Sequence, residues 1–183
     1  MKKLCLLAMA VVFAVSAHAQ LITSTTTVSE RKIQREKTNV NVWYQGEVNF
    51  GYGLAGSISY NGESADAEFS RVFIETIHGA RITKYAFVGL GTGVQYALDY
   101  EEAIIPVFLD LKGYYPVSDD FAPYVAFDLG YGIGTSDFDG GFYGSFGAGL
   151  NYRKLNFGLG YQMQGIGEGA KLGSFFLKVG LKF

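Results

Sequence analysis

The sequence predicts an all-β protein: a transmembrane antiparallel up-and-down β-barrel of eight strands that follows an N-terminal signal peptide. Three observations predict it. Apolar residues alternate with small or polar residues in eight segments, which is the period of a strand. Charged residues in those segments fall on the polar side of the alternation. The last segment ends on an aromatic residue, Phe183.

The chain begins with the pattern of a secretory signal peptide, over residues 1–19. A positively charged start and an apolar run precede Ala17-His18-Ala19, which has small residues at the positions that a signal peptidase reads. The run of about 12 apolar residues is too short for a membrane-spanning helix, which needs about 20. We expect cleavage after Ala19. Cys5, the single cysteine, would leave with the signal peptide, so disulfides and thiol catalysis are not expected.

Composition excludes several classes of protein. The chain has 25 glycines, 13 tyrosines and 15 phenylalanines but only 3 prolines. Collagen or a disordered chain would combine high glycine with more proline and fewer aromatic residues. A net charge of −2 offers no electrostatic footprint for nucleic acid.

The remaining chain divides into two parts. Residues 20–42 are polar and lack an apolar stripe, so we expect a periplasmic leader. Residues 43–183 form the predicted barrel. Its strands are predicted at 43–60, 68–79, 85–98, 103–115, 121–134, 141–152, 155–164 and 174–183.

Each predicted strand has an apolar and a polar face. One apolar position from each strand, in chain order, is Phe50, Ile74, Leu90, Leu109, Phe127, Phe146, Leu159 and Leu177. A neighbouring position on the opposite face is Asn49, Glu75, Gly91, Asp110, Asp128, Ser145, Gln162 and Lys178. By the same alternation, Ile58 and Thr76 are expected on the apolar face and Ser57 on the polar face.

The charges indicate which face meets lipid. Eight charged residues lie within the strands, all on the polar face: Glu47, Arg71, Glu75, Asp110, Lys112, Asp128, Lys178 and Lys182. A soluble barrel would crowd that face with charge, whereas here it is mostly Gly, Ser, Asn and Gln. We therefore expect the polar face to line a narrow lumen, filled in part by Phe73, Phe87 and Phe108, and the apolar face to contact lipid.

The connections and the aromatic residues predict an orientation. Short turns at 79–84, 115–121 and 152–155 would lie with both chain ends in the periplasm, and the loops at 60–68, 98–104, 134–141 and 164–173 would be extracellular. A periplasmic aromatic girdle is predicted from Trp43, Tyr44, Tyr85, Tyr115, Phe121 and Tyr152, and an outer one from Tyr60, Tyr96, Tyr100 and Phe142.

The last strand carries a family resemblance. Its outward positions are Phe175, Leu177, Val179, Leu181 and Phe183. This looks like the C-terminal sorting signal of outer-membrane proteins, and the chain resembles the small OmpA/OmpX-like eight-stranded barrels. Its pattern of residues is similar to that of the "outer membrane protein beta-barrel" family of Bacteroides-type bacteria. The segments 77–81 and 105–108 also resemble that family. The resemblance implies residence in a Gram-negative outer membrane, contact with its lipids and lipopolysaccharide, and delivery by the barrel-assembly machinery.

No motif predicts catalysis, a cofactor or a metal site. The segment 51–56 matches GxGxxG but lies inside an alternating strand, where no dinucleotide fold could form around it. His78 is the only histidine after the signal peptide, and one histidine cannot anchor a convincing metal site. The predicted topology also puts His78 at the periplasmic end, away from the outer leaflet where lipid-modifying barrels react.

The inward charges form the candidate site. We expect Glu47, Arg71, Glu75, Asp110, Lys112, Asp128 and Lys178 to make a polar network that fills the lumen, since buried charges must be paired. The leading hypothesis is a non-enzymatic scaffold or surface-interaction protein that acts through its extracellular loops. Two alternatives are a narrow channel for ions or small solutes and a lipid-modifying enzyme.

Overall fold

The structure, a computed structural model, describes residues 41–60, 63–67, 70–99, 102–135, 140–167 and 170–183. The predicted signal peptide and all but the last two residues of the predicted leader lie outside the described residues. The described residues form nine strands: β1 (Val42–Tyr60), β2 (Glu63–Ala67), β3 (Arg71–Ile82), β4 (Ala86–Ala97), β5 (Glu102–Tyr114), β6 (Phe121–Gly134), β7 (Gly141–Tyr152), β8 (Leu155–Gly165) and β9 (Lys171–Lys182). Within these ranges, no helix is long and apolar enough to cross a membrane.

The strands close into an antiparallel barrel. Each strand from β3 to β9 pairs with the next, and β1 pairs with both β3 and β9. The short β2 pairs with residues 56–60 of β1, while β3 pairs with residues 42–53 of the same strand. Because β2 and β3 occupy one position in the wall, the barrel has eight strand positions. The predicted all-β, eight-stranded up-and-down barrel is confirmed.

Three predicted boundaries are wrong. The loop expected at 60–68 contains β2. Its sequence, ESADA, lacks a large apolar residue at alternate positions, and the strand forms through backbone pairing with β1. The second strand extends to Ile82, so the turn predicted at 79–84 shrinks to 83–85, with Thr83 in the left-handed region at φ 59°. The last strand begins at Lys171 and not at 174, since residues 171–173 pair with both β8 and β1.

The alternation predicted for β1 fails near its end. The register of β1 against β9 shifts between Leu54 and Ser57, which is the signature of a β-bulge. Ser57, expected on the polar face, now pairs with Gly173, two residues before the outward-facing Phe175. Ile58 was predicted to lie on the apolar face, and its side chain lies outside the described part of the chain.

The two ends of the barrel differ in what they carry. We call the end with Val42 and Phe183 the proximal end; its turns span 83–85, 115–120 and 153–154. The opposite, distal end carries β2 with the connections on either side of it, and the connections at 98–101, 135–140 and 166–170. Connections at both ends are short, so the expected contrast between turns and long loops is weak.

The outer face is apolar, as predicted. Large apolar side chains on every long strand are exposed, among them Phe50, Ile74, Leu90, Leu109, Phe127, Phe146, Leu159 and Leu177. Thr76 is an exception at an outward position: it is buried, and its hydroxyl bonds to the Glu47 carbonyl and the His78 ring. Near the proximal end, five predicted girdle residues are exposed, namely Trp43, Tyr44, Tyr85, Tyr115 and Tyr152, while the sixth, Phe121, is half-buried. Of the predicted distal girdle, Phe142 is exposed, Tyr96 is half-buried, and the side chains of Tyr60 and Tyr100 fall outside the description.

Candidate functional site

Glycines on the inner wall make room for large side chains from neighbouring strands. A Cβ on Gly89 would lie 2.7 Å from Cζ of Phe87 and 2.9 Å from the His78 carbonyl oxygen. A Cβ on Gly158 would lie 2.8 Å from the Tyr124 hydroxyl. In a barrel of eight strands the interior is only wide enough for side chains, so large residues need small ones beside them. The inward-facing glycines therefore allow large side chains to fill the lumen.

Lys112 is the centre of the first buried ion cluster. Its Nζ lies 2.6 Å from Oε2 of Glu47 and 3.0 Å from Oδ2 of Asp110. All three side chains are fully buried. The strand alternation explains the arrangement, because Asp110 and Lys112 are successive inward positions of β5 and Glu47 reaches them from β1 across the lumen.

Lys178 makes the second ion pair, with Glu75. Lys178 Nζ lies 2.8 Å from Glu75 Oε1, which also accepts a hydrogen bond from Asn49 Nδ2 at 3.0 Å. Asn156 connects the two clusters, because its Nδ2 donates to Glu47 Oε2 at 3.1 Å and to Asn49 Oδ1 at 3.2 Å. Side chains from five strands, β1, β3, β5, β8 and β9, thus form one hydrogen-bonded network across the lumen.

Two carboxylates are less completely partnered. Asp110 and Asp128 occupy paired positions of β5 and β6, so both project into the same part of the lumen. Asp128 Oδ2 accepts a hydrogen bond of 2.5 Å from Ser145 Oγ, while its Oδ1 has no hydrogen-bond partner in the described chain. A void beside Asp128, Ser145 and Lys178 is too small to admit a water molecule. We call the six ionisable residues at this level the charged layer: Glu47, Glu75, Asp110, Lys112, Asp128 and Lys178.

Aromatic residues cover the charged layer on its distal side. Four aromatic residues lie one inward position closer to the distal end than four polar residues of the same strands. They are Phe73 next to Glu75, Phe108 next to Asp110, Tyr143 next to Ser145 and Phe176 next to Lys178. All four aromatic side chains are buried. The rings of Phe108 and Tyr143 lie 5.1 Å apart between centroids, and those of Phe73 and Phe176 lie 6.1 Å apart. These four residues form a distal aromatic layer.

The proximal side of the charged layer is also filled. The guanidinium of Arg81 lies 3.5 Å from the ring centroid of Tyr114, and its Nη1 donates to Gln45 Oε1 at 3.0 Å. Gln45 in turn donates to Glu47 Oε1 at 2.8 Å. Tyr124 donates its hydroxyl proton to Asn156 Oδ1 at 2.6 Å. The charged layer is therefore enclosed from both ends of the barrel.

Arg71, expected in the network, lies apart from it. It sits one inward position beyond the distal aromatic layer and is only 2% exposed. Its Nη1 donates to Gln95 Oε1 at 3.2 Å, and Gln162 Nε2 donates to the same oxygen at 2.8 Å. Within the described ranges, Arg71 makes no ion pair with a carboxylate. The other six predicted network residues all lie in the charged layer, while Lys182 is half-buried at the proximal rim.

Sequence reasoning missed several members of the lumen. Arg81 was not predicted to enter the lumen, because it fell within the turn predicted at 79–84. Continuing the alternation from Arg71 would have placed it inward. Gln45, Asn49 and Asn156 lie on the expected polar face. Their role as connectors depends on contacts between strands far apart in sequence, which alternation cannot reveal.

His78 lies on the outer wall, near the proximal end. Its Nδ1 lies 2.5 Å from the Tyr44 hydroxyl and its Nε2 lies 2.9 Å from Thr76 Oγ1. The ring also meets the ring of Phe183 edge-on, at 6.1 Å between centroids. Both ring nitrogens are thus occupied by hydroxyl groups. In the part of the chain that the structure describes, no group of three His, Cys, Asp or Glu side chains could hold a metal ion.

The predicted sorting strand lies at the seam of the barrel. Its outward residues are all exposed: Phe175, Leu177, Val179, Leu181 and Phe183. Phe183 pairs with Gly46 through two backbone hydrogen bonds, of 2.8 and 2.9 Å. A Cβ on Gly46 would collide with the Phe183 ring, so glycine at this position leaves the room that the ring occupies.

Comparisons with known proteins agree with this geometry at the level of the fold. No protein-family model matches the chain, and no curated protein matches it. Neisserial surface protein A is similar in structure, with a TM-score of 0.54 and 14% identity over 78% of this chain and 99% of that one. Ail of Yersinia pestis, solved with the heparin analogue sucrose octasulfate, has a TM-score of 0.44, 13% identity and coverage of 76% and 99%. OprG of Pseudomonas aeruginosa has a TM-score of 0.38, 12% identity and coverage of 76% and 95%. The similarity to Ail and OprG is distant, and the similarity to Neisserial surface protein A concerns the fold alone. Residues 42–183 therefore have the fold of the small eight-stranded β-barrels of bacterial outer membranes.

Proposed function

We propose that the chain is an integral outer-membrane protein whose filled barrel serves as a scaffold and whose distal connections make contacts at the cell surface. The observation that carries this proposal is the enclosed charged layer. Its lysines are paired with carboxylates, and aromatic side chains cover it from both ends. A closed interior leaves the wall and the connections as the surfaces that can act.

Membrane residence is supported by the outer face. Strands β3 to β9 are 11 to 14 residues long, enough to cross a bilayer when tilted, and their outward side chains are largely apolar. The implied partners are outer-membrane lipids, lipopolysaccharide and, during biogenesis, the barrel-assembly machinery acting on the strand that ends at Phe183. We also propose the cleaved signal peptide over 1–19 and the relationship to the Bacteroides-type barrel family on the sequence patterns alone.

Fractionation and electrophoresis test the membrane proposal. The full chain, expressed in a Gram-negative host, should be recovered in the outer membrane and should lose its first 19 residues. A closed barrel should also migrate differently on a gel before and after boiling. Recovery as soluble periplasmic material, or identical migration, would contradict the proposal.

A narrow cation channel is the second candidate. The observation that favours it is the excess of acid in the charged layer, where four carboxylates face two lysines and Asp128 Oδ1 has no partner among the described residues. Planar-bilayer recording separates the candidates. We expect no steady conductance from the wild-type chain. Steady steps that vanish in Asp110→Asn would replace the filled-scaffold proposal with the channel.

We propose further that the protein is not an enzyme. Support comes from His78, whose ring nitrogens are both occupied by hydroxyl groups on the outer wall at the proximal end. The lipid A of cells that express the chain should match that of cells without it. A changed profile that returns to normal with His78→Ala would favour the lipid-modifying alternative instead.

A further inference from the structure

One row of outward side chains on the barrel wall is smaller than the rows beside it. Its members are paired neighbours on four successive strands, β4 to β7: Ala86, Gly113, Val125 and Ala148. The next outward row toward the distal end is larger on the same strands: Val88, Leu111, Phe127 and Phe146. A Cβ on Gly113 would have only Val125 Cγ2 within 4 Å, at 3.6 Å, so the space outside this row is open. The outer wall therefore has a groove along the row.

The groove has a closed end and an end at the rim of the barrel. Its volume is about 670 Å³, which is within the range of ligand pockets. Tyr115 and Leu150 stand on its proximal side. Leu159 of β8, the partner of Ala148, is large and 59% exposed, so it blocks the groove there. The other end reaches the proximal rim beside Tyr85, in the turn between β3 and β4.

The tilt of the strands makes the groove climb from that rim. Following paired residues once round the barrel from Ala86 leads back to Tyr96 on the same strand, ten residues nearer the distal end. A row of paired residues therefore rises steadily from strand to strand. Ala86 is the first residue of β4, whereas Leu159 lies near the middle of β8. In a membrane, the groove would lead from the surface toward the midplane.

The groove admits only a thin occupant. Its two sides are formed by the outward residues before and after the row on each strand, so their Cα atoms are about 13 Å apart. Leucine and aromatic side chains from both sides narrow this gap below the diameter of an α-helix, about 10–12 Å. The thin apolar group that a bilayer supplies at this place is an acyl chain.

A cation lies at the rim end of the groove. Lys84 is exposed, and its Nζ lies 5.3 Å from the ring centroid of Tyr85. Among the described residues Lys84 makes no ion pair, whereas Arg153 in the β7–β8 turn is paired with Asp120. Lysine binds phosphate as a point charge. A phosphate joined to an acyl chain therefore matches the charge at the rim and the apolar groove behind it.

We propose that the groove binds one phospholipid of the leaflet at the proximal end. Its phosphate lies at Lys84, and one acyl chain lies over Gly113 and Ala148 and ends at Leu159. This inference rests on the proposed membrane residence and adds a specific lipid site to it. Bulk lipid is as apolar as the wall, so the bound molecule is distinguished by dispersion contacts with both sides of the groove and by its phosphate.

Native mass spectrometry of the full chain tests the site. The protein is extracted from outer membranes in a mild detergent, and the spectrum gives the mass of any lipid that stays bound. We expect barrels that carry one phospholipid. Ala148→Leu and Gly113→Leu fill the groove, and each should lower the lipid-bearing fraction about fivefold through lost dispersion contacts. Lys84→Gln should lower it about threefold, since exposed charge pairs are weak.

Two matched controls separate the groove from the rest of the wall. Val107→Phe enlarges an exposed outward residue of β5 outside the groove, and Lys171→Gln removes an exposed lysine at the distal end. Both should keep the lipid-bearing fraction of the wild type. Gel migration before and after boiling checks that each variant is folded, and Ala148→Leu decides the test if Gly113→Leu does not fold.

Several results would overturn the proposal. They are a wild-type barrel without phospholipid, equal retention in Ala148→Leu, and a loss of lipid in Val107→Phe as large as in Ala148→Leu. A bound species with the mass of lipopolysaccharide, or a dimer that disappears in Ala148→Leu, would put a different occupant in the groove. Unchanged retention in Lys84→Gln would contradict the position of the phosphate. Recovery of the chain as soluble material would refute the proposed membrane residence, whereas an outer-membrane barrel without a bound phospholipid would refute the lipid site alone.

Discussion

The inner and outer faces of the barrel wall place opposite demands on neighbouring residues. On β5, Leu109 is 39% exposed on the outer face, while Asp110 beside it is fully buried in the lumen. Leu109 needs only to be apolar, because the proposed lipid environment of the outer face makes no demand for specific partners. Asp110 needs Lys112 within 3.0 Å, because an unpaired buried charge is strongly unfavourable. The outer face is therefore set by residue class and the inner face by particular partners.

The largest effect should come from removing Lys112 from the inner face. Lys112→Met leaves Glu47 and Asp110 buried without their cation and should lower the free energy of unfolding by about 3–5 kcal/mol. Urea unfolding of the barrel in lipid vesicles measures it. Lys171→Met, at an exposed end of β9, is the control and should change little. An unchanged urea midpoint for Lys112→Met would mean that the charged layer is hydrated and not enclosed.

A charge on the outer face should have the next largest effect. Leu109→Arg places a cation in the apolar band and should cost about 2–4 kcal/mol at the bilayer midplane. Leu98→Arg, just beyond the distal end of β4, should cost about 0–1 kcal/mol, because the cost falls near the interface. The same unfolding assay in vesicles compares the two. Equal costs would contradict the placement of the outer face in lipid.

Glycine substitutions compare the faces without any charge. Gly89 faces the lumen, where a Cβ would collide with the Phe87 ring, so Gly89→Ala should cost about 1–3 kcal/mol through overpacking. Gly113 lies on the outer wall, and a Cβ there would have Val125 Cγ2 as its nearest neighbour, at 3.6 Å. Gly113→Ala should therefore leave the unfolding midpoint nearly unchanged. If both variants behaved alike, the inner wall would not be tightly packed.

The smallest effect is expected for the ion pair outside the barrel wall. Arg153 Nε lies 3.2 Å from Asp120 Oδ2 in the proximal turns, and the two side chains are 65% and 53% exposed. Water screens such pairs, so Arg153→Gln should change the free energy of unfolding by less than about 1 kcal/mol. The difference between wild type and variant should shrink further at high salt, because salt screens exposed charges. A loss comparable with that of Lys112→Met would indicate that the proximal turns hold the barrel closed.

Much of the fold could be predicted from local pattern. All eight predicted strands begin and end within three residues of the observed ones, because alternation is a property of the strand itself. The exceptions lie where local pattern is weak. The sequence of β2 has no apolar face from which a strand could be predicted. The bulge after Leu54 changes the register of β1, and it depends on pairing with β9.

By itself, the sequence determined the class of fold, the apolar outer face and most of the charges that enter the lumen, although Arg81 was missed. It could do so because successive side chains of a strand point to opposite faces. Only the tertiary structure decided which charges meet. Barrel closure brings Lys112 to Glu47, 65 residues away, and Asn156 to the same carboxylate, 109 residues away. Among the described residues it leaves Arg71 beside Gln95 and Ser174 and without a carboxylate partner, because the curvature of the wall and the stagger of its strands set the height of each side chain in the lumen.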